Sequence, residues 1–407
     1  MKVGVFFGSR SCEHDVSIVT GLQAIQNIDS EKYEIVPVYI DRDGSWYTDE
    51  GLLNYESYAL TMKKAYDVQR CVPAPYGDGK LALYKHPLRG GLFFSKLKPF
   101  VVIDVALLAF HGVNGEDGSI QGLLELYNVP YTSAGMFGSS VGMDKIGMKA
   151  FFRGCGFPVL PYAWFTRDRW EKEPNEVLMN LESELEYPMF VKPANLGSSI
   201  GISKAADRES LMEAIEVAKA YDRKILVEKG LVELDEINCA AVGYGESITV
   251  SMCEQPVSWQ EFLTFDDKYM RSGGKGMESL TRQIPAPISR ELTAQIQKLT
   301  EDIFRCMDMK GVMRVDFMID KQSGNVYVNE VNTIPGSLSF YLFEPMGISY
   351  KQLLGKMIDS ALDAHADKQR NNFSYDSMIL TKVAAGRLKG GKGGFGKLGG
   401  KMGSVKR

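Results

Sequence analysis

Arg314, Asp316, Glu330 and Asn332 stand in the stretch MRVDFMIDKQSGNVYVNEVNTIPG (313–336), inside two strand-like runs, RVDFMID and NVYVNEVN. Strand side chains alternate faces, so 314, 316 and 318 share one face, as do 328, 330 and 332. A three-residue loop, Gln322-Ser323-Gly324 with Gly in the left-handed position, would join the runs as a hairpin and pair 321 with 325. That register sets Asp316 opposite Glu330 and Arg314 opposite Asn332. Two carboxylates facing each other across a ladder repel, so a cation belongs between them. Arg314 is one candidate. Acid, acid and amide oxygen are also the hard-oxygen set that Mg²⁺ prefers, with water and phosphate oxygens completing the octahedron. A surface polar network is the plain alternative.

A phosphate-bearing partner has its own candidate residues. FVKPANLGSSIGISKA (190–205) places Lys192 at the end of one strand and Gly197, Ser198, Ser199 and Gly201 before the next. Small residues with successive N–H groups can wrap a polyphosphate while the lysine balances its charge; a simple turn would look the same. The stretch is not a Walker loop, which needs GxxxxGK[ST] leading into a helix. The nearest match to that pattern, GKGGFGKL (391–398), has Leu where Ser or Thr belongs. ILVEKGL (225–231) ends an apolar strand in Glu228 and continues through backbone that could pair with an adenine edge. Lys145, in MDKIGMK, is either a further phosphate contact or a surface lysine.

The elements that must position these groups alternate. KVGVFF (2–7), YEIVPVYI (33–40) and VVIDVALLAF (101–110) read as buried strands, with helical patterns after the first and third. Strands alternating with helices imply a parallel α/β sheet whose ligand crevice lies at the strand C-termini. Residues 52–98 fit that scheme poorly and read as an insertion. The expected organisation is an N-terminal α/β domain (1–133), a central segment (134–231), a C-terminal segment carrying the hairpin (232–366) and an extension (367–407). Helices are expected over MDKIGMKAFFRGCG, ESLMEAIEVAKAY, 288–308 and about 350–366.

Bulk composition narrows the partners. The 407 residues carry a formal net charge of −4, which argues against nucleic-acid binding by the core. Residues 387–407 hold seven Lys or Arg, eight Gly and no acid, so residues 1–386 carry −4 − 7 = −11. That is an acidic body with a basic glycine-rich tail. The N-terminus does not read as a signal peptide, and the run 101–110, broken by Asp104, is far too short to span a membrane. Six scattered cysteines without a CxxC suit reduced thiols in the cytoplasm.

Taken in order, HGVNGEDGSIQGLLELYNVPYTSAG, MDK, FVKP…GSSIG, EFLTFDDKY, RVDF and NEVNTIPG resemble the D-alanine–D-alanine ligase family of ATP-grasp enzymes over about residues 1–360. The resemblance implies an ATP-grasp fold behind a parallel α/β domain. It also implies a cytoplasmic, homodimeric enzyme that uses ATP and two Mg²⁺ (or Mn²⁺) to join two D-alanines through an acyl phosphate for peptidoglycan precursors. It assigns Asp316, Glu330 and Asn332 to the metals; Lys145, Lys192, Ser199 and Lys268 to phosphates; and Glu228, Leu231 and Glu236 to adenine and ribose. Glu13 would bind the first ammonium and link through Ser198 to Tyr269 on a lid around 261–283. His111 would lie beside the first substrate, and Arg314 and the Gly336 N–H would stabilise the oxyanion.

One segment departs from the family. Where a serine usually binds the second carboxylate, SLSFYLFEP brings Tyr341, followed by Leu342. Either Tyr341 donates instead, Ser339 takes over, or the acceptor is D-serine or another amine. Tyr269 favours an amine acceptor over a hydroxy acid. A catalytically silent ATP-binding protein is the rival from another class.

Overall fold

The computed structural model describes residues 1–53, 55, 58, 68–88, 97–256, 282–375 and 377–384. Residues 1–365 form one compact unit and 366–407 a second. The described part of the second unit is the end of the helix Tyr350–Lys368 and a short helix, Ile379–Ala384.

The first sheet has seven strands: β1 (Lys2–Gly8), β2 (Glu34–Ile40), β3 (Trp46–Tyr47), β4 (Arg70–Tyr76), β5 (Lys80–Lys85), β6 (Val101–Ile103) and β7 (Val105–Leu108), in the order β6-β5-β4-β3-β2-β1-β7. Only β2, β1 and β7 are parallel, and of these β1 and β7 lead into helices while β2 turns back into β3. The others pair antiparallel, and the stretch read as an insertion supplies two of them, β4 and β5. The run 101–110 is broken at Asp104 into the two edge strands. Asp104 Oδ2 accepts from the Lys2 backbone N–H at 2.8 Å, and Oδ1 lies 2.6 Å from Lys80 Nζ. Edge strands joined by one residue require the sheet to curl until its margins meet.

The second sheet, β8 (Tyr162–Thr166), β9 (Met189–Pro193), β10 (Ser203–Ala205) and β11 (Lys224–Lys229), is antiparallel in the order β10-β9-β11-β8. The helix Arg208–Tyr221 covers it with Leu211, Ala214, Ile215 and Ala218, spaced three and four apart as one buried helix face requires. Asp207 and Ser210 form its capping box.

The third sheet is also antiparallel: β12 (Leu234–Tyr244), β13 (Ser247–Pro256), β14 (Arg282–Gln283), β15 (Gly311–Asp320) and β16 (Val326–Asn332), in the order β14-β13-β12-β15-β16. The helix Arg290–Cys306, capped by Ser289, buries Ile296, Thr300, Ile303 and Phe304 against it. The helix expected over 143–156 is two, Met136–Met143 and Lys145–Gly154, because Asp144 leaves the helical backbone. Its side chain accepts from the N–H groups of Ile146 and Gly147, capping the second helix. Leu353, Leu354, Met357 and Ile358 of the terminal helix close the core of the first sheet.

Candidate active site

β15 and β16 pair as the chemistry demands but not by the expected loop. The loop is Lys321–Gly324, four residues, with Asp320 and Asn325 bonded across its base and Gly324 left-handed. Pairing therefore starts one residue out of the anticipated register: Ile319 with Val326, Met318 with Tyr327 and Phe317 with Val328. A bulge between Asp316 and Phe317 absorbs the difference at Asn329 and restores Asp316 opposite Glu330 and Arg314 opposite Asn332.

Both carboxylates have cationic company. Arg314 grips Asp316 with a fork, Nε to Oδ1 at 2.6 Å and Nη2 to Oδ2 at 2.8 Å, and Asn332 Nδ2 donates to Oδ2 at 3.0 Å. Burial works against the Arg314 charge, but Asp316 outweighs it and holds the guanidinium protonated far beyond neutrality. Glu330 Oε2 lies 3.2 Å from Lys145 Nζ. Capping by Asp144 starts Lys145's helix at the cleft wall, and Lys145 Nζ also donates to the Leu196 carbonyl at 2.9 Å. Burial disfavours its charge, yet Glu330, then Glu13 and Glu228, raise its pKa.

These groups line one cleft, whose space is about 1570 Å³ when the open solvent at its mouth is counted. Of the residues singled out in the sequence, Glu13, His111, Lys145, Lys192, Ser198, Ser199, Glu236, Arg314, Asp316, Glu330, Asn332 and Gly336 all face it. Ser198 Oγ donates to Glu13 Oε1 in a short hydrogen bond, joining the glycine-rich connection to the first helix. Ser198 and Ser199 both have left-handed backbone (φ 52° and 59°), strain that fixes this loop around its contacts. Two glycines make room for the Glu13 carboxylate. A Cβ on Gly112 would lie 2.6 Å from Oε2, and one on Gly197 would lie 2.8 Å from it.

His111 Nε2 meets Thr20 Oγ1 at 2.8 Å, and burial drives the pKa of His111 down to about 4, so the ring is neutral. Glu116 accepts from the Gly112 and Ile334 N–H groups at 2.8 and 2.9 Å. Its burial, with the charge of Glu13, pushes its pKa up to about 8.

Five expected positions stand elsewhere. Glu228 is buried, ion-paired to Lys192 and 2.8 Å from Lys149 Nζ, and does not line the cleft. Burial alone would raise its pKa, but Lys149 and Lys192 override that and hold it at about 2. It anchors the lysines from behind, because an apolar strand end would leave them unpaired. Leu231 also lies off the cleft wall. Ser339, Tyr341 and Leu342 are buried behind the wall: Ser337, Leu338 and Ser339 make a left-handed turn (φ 49–53°) that rolls the segment inward. Tyr341 Oη donates to Glu254 Oε1 at 3.2 Å, and Ser339 Oγ has no hydrogen-bond partner among the described residues. Lys268, Tyr269 and the lid up to residue 281 lie outside the described residues, as does the basic tail.

Residues that the sequence did not single out line the cleft or, as Lys149 does, back its wall. Glu116 sits inside the quoted HGVNGEDG motif, and Lys149 lies one helical turn after Lys145, a spacing that could have flagged it. Glu254 and Arg282 flank 257–281 and meet only because β13 pairs with β14.

The donor set fits a hard divalent cation: two carboxylates and an amide on facing rungs. Among the described residues no three His, Cys, Asp or Glu gather as a metal site. A cation here would therefore draw its remaining ligands from phosphate oxygens and water.

An antiparallel sheet with paired carboxylates, facing Lys192 of a second sheet and Lys145 of a helix across a polar cleft, defines an ATP-grasp ligase. The family profiles described as D-ala D-ala ligase N-terminus and C-terminus match residues 2–134 and 151–359. A D-alanine–D-alanine ligase of Thermosipho africanus is 40% identical over 380 residues, 93% of this chain and 98% of that one. Among solved structures, the VanG D-Ala:D-Ser ligase of Enterococcus faecalis is similar at TM-score 0.72 and 28% identity, covering 88% of this chain and 99% of that one. The D-alanine–D-alanine ligase of Bacillus anthracis complexed with ATP is similar at TM-score 0.62 and 26% identity, covering 90% and 99%. The chain belongs to the D-alanine–D-alanine ligase family.

Proposed function

We propose that the enzyme joins two D-alanines at the cost of ATP, forming ADP and the dipeptide used in peptidoglycan precursors. The observation that carries this reading is the convergence in one cleft of Glu13–Ser198, Lys145–Glu330, Lys192 and Arg314–Asp316–Asn332, from segments up to 319 positions apart (332 − 13). The first D-alanine presents its ammonium to Glu13 and its carboxylate to the γ-phosphate. A new O–P bond forms as the bond to ADP breaks, with Lys145 and Lys192 balancing the phosphate charge. The amine of the second D-alanine then attacks the acyl carbon. Arg314 and the Gly336 N–H stabilise the resulting oxyanion, a contribution of about 3–4 kcal/mol for such a donor. Collapse forms the amide and releases phosphate. Asp316, Glu330 and Asn332 would hold Mg²⁺, as two ions with Mn²⁺ an acceptable substitute, which supplies charge neutralisation at the phosphates.

Three sheets on one chain support the organisation proposed from the sequence: an N-terminal substrate-binding domain followed by two ATP-grasp segments. The enzyme works in the cytoplasm as a homodimer; light scattering giving a monomer would remove the second part. Among the described residues, no helix is long and apolar enough to cross a membrane.

A different acceptor, D-serine foremost, is favoured by Tyr341 at the position where the family carries serine. Phosphate release with ATP and Mg²⁺, measured across single D- and L-amino acids and pairs, decides between them. D-alanine alone should give turnover and D-Ala-D-Ala by mass spectrometry. Turnover only with L-substrates, or ATP binding without turnover, would overturn the reading.

A further inference from the structure

We propose that Arg282, lying on the ring of Tyr341 beside Glu254, binds the carboxylate of the acceptor amino acid. The inference rests on the ligase reading and names the residue that takes its second substrate.

Two amino acids bring two amines and two carboxylates into the cleft. The donor's carboxylate is the reacting centre, Glu13 takes the donor's ammonium, and the acceptor's amine is the nucleophile. One permanent anion remains, the acceptor's carboxylate, and it needs a cation with free N–H groups. Most described cations of the wall are committed. Lys145 faces Glu330 and the Leu196 carbonyl, Lys192 is paired with Glu228 and donates to Asn329 Oδ1 at 3.3 Å, and Arg314 forks onto Asp316. His111 is neutral.

Arg282 differs. It lines the cleft with its side chain 12% exposed, and its Nη1 and Nη2 are both buried without a hydrogen-bond partner among the described residues. Among the described residues its ion-pair partner is Glu254, whose Oε2 stands 3.7 Å from Nη1, beyond hydrogen-bond reach. Glu254 is itself occupied, accepting from Asn238 Nδ2 at 3.0 Å and Tyr341 Oη at 3.2 Å. It balances the guanidinium charge while leaving the fork open. A planar fork with two free N–H groups is complementary to a carboxylate and takes it bidentately.

The arrangement also accounts for Tyr341. Its ring centroid lies 3.7 Å from Arg282 Cζ, so the ring fixes the guanidinium plane. A serine hydroxyl there would reach toward the substrate directly; this chain uses the same position as a platform for an arginine. Pairing of Arg282 with Pro256 places that arginine beside Glu254.

The test compares D-alanine with D-alaninamide as acceptor, using full-length wild-type enzyme, Arg282→Gln and Arg282→Lys. Wild type should favour D-alanine by about 10²-fold or more in acceptor kcat/KM, because an amide leaves part of the fork unpaired. Arg282→Gln should shrink that preference at least tenfold through the acceptor KM. Its KM for ATP, and its donor-dependent positional isotope exchange in ATP, should stay within twofold of wild type. Arg282→Lys should fall between, and it reads the same ratio if the Gln variant does not fold. An unmoved ratio in an active variant, or equal losses in donor activation and acceptor use, overturns the role of Arg282 alone. A wild type inert toward D-alanine overturns the ligase reading with it.

Discussion

Glu330 faces Asp316 across the ladder with Lys145 3.2 Å away, so its charge is what would let a divalent cation rest between the two strands. Glu330→Gln keeps size and one oxygen but removes that charge. Turnover should fall about 10²-fold or more, while the circular-dichroism melt stays close to wild type. Near-normal turnover would dismiss the metal assignment. Lys149 makes the opposite case, a charge that does not line the cleft. It is 1% exposed and, with Lys192, encloses the Glu228 carboxylate. Lys149→Met breaks a buried pair, and urea unfolding should show a loss of about 3 kcal/mol, the low end for such a break because Lys192 remains. A neutral effect would mean that the pair carries no stability.

The helix Lys145–Gly154 carries in its first turn Lys145, the lysine proposed to meet ATP phosphate, and buries Met148 and Phe152 behind it. Asp144 supplies two hydrogen bonds to the helix start and an ion pair to Lys224. Asp144→Ala should cost about 1–2 kcal/mol in thermal or urea unfolding and raise the KM for ATP more than it lowers kcat. A kcat loss with unchanged KM would place Lys145 in the chemical step rather than in binding. The hairpin shows what alternation can and cannot fix. Arg314 and Asp316 lie between buried Met313, Val315 and Phe317, so the polar face was readable from period-two patterning. The four-residue loop and the bulge at Asn329 cancel in register, and no local pattern announces either.

Across the whole molecule, the loop after β7 and the segment after β16 are tied by Glu116, which accepts N–H groups from Gly112 and Ile334. Ser337 Oγ, donating to Gln23 Oε1 at 2.8 Å, ties the segment after β16 to the first helix as well. Because burial raises the folded pKa of Glu116 to about 8, from 4.5 in the unfolded chain, the folded state holds a proton that the unfolded state lacks between those values. The stability Glu116 contributes is fully present below 4.5 and is lost as pH rises through 8. The slope is about 1.4 kcal/mol per pH unit at most. Glu116→Gln cannot titrate, so its stability relative to wild type should improve from pH 5 to pH 8 in parallel urea titrations. A constant difference would show that Glu116 titrates alike in both states.

Local pattern was enough to indicate an α/β sheet, because alternation and helical spacing are properties of neighbouring residues, and the ligase of ATP-grasp type was indicated by the resemblance of the ordered motifs to a known family. They also placed Asp316 opposite Glu330, since both lie within one hairpin. What depends on distant segments was not legible. The break at Asp104 that curls the first sheet, the withdrawal of Glu228 behind Lys149 and Lys192, and the inward roll of Tyr341 onto Glu254 each follow from partners far along the chain. So does the approach of Cys155 and Cys306, whose sulfurs lie 3.1 Å apart across 151 positions. A buried charge is stable only beside its counter-charge, and which counter-charge it meets is decided when the sheets pack together.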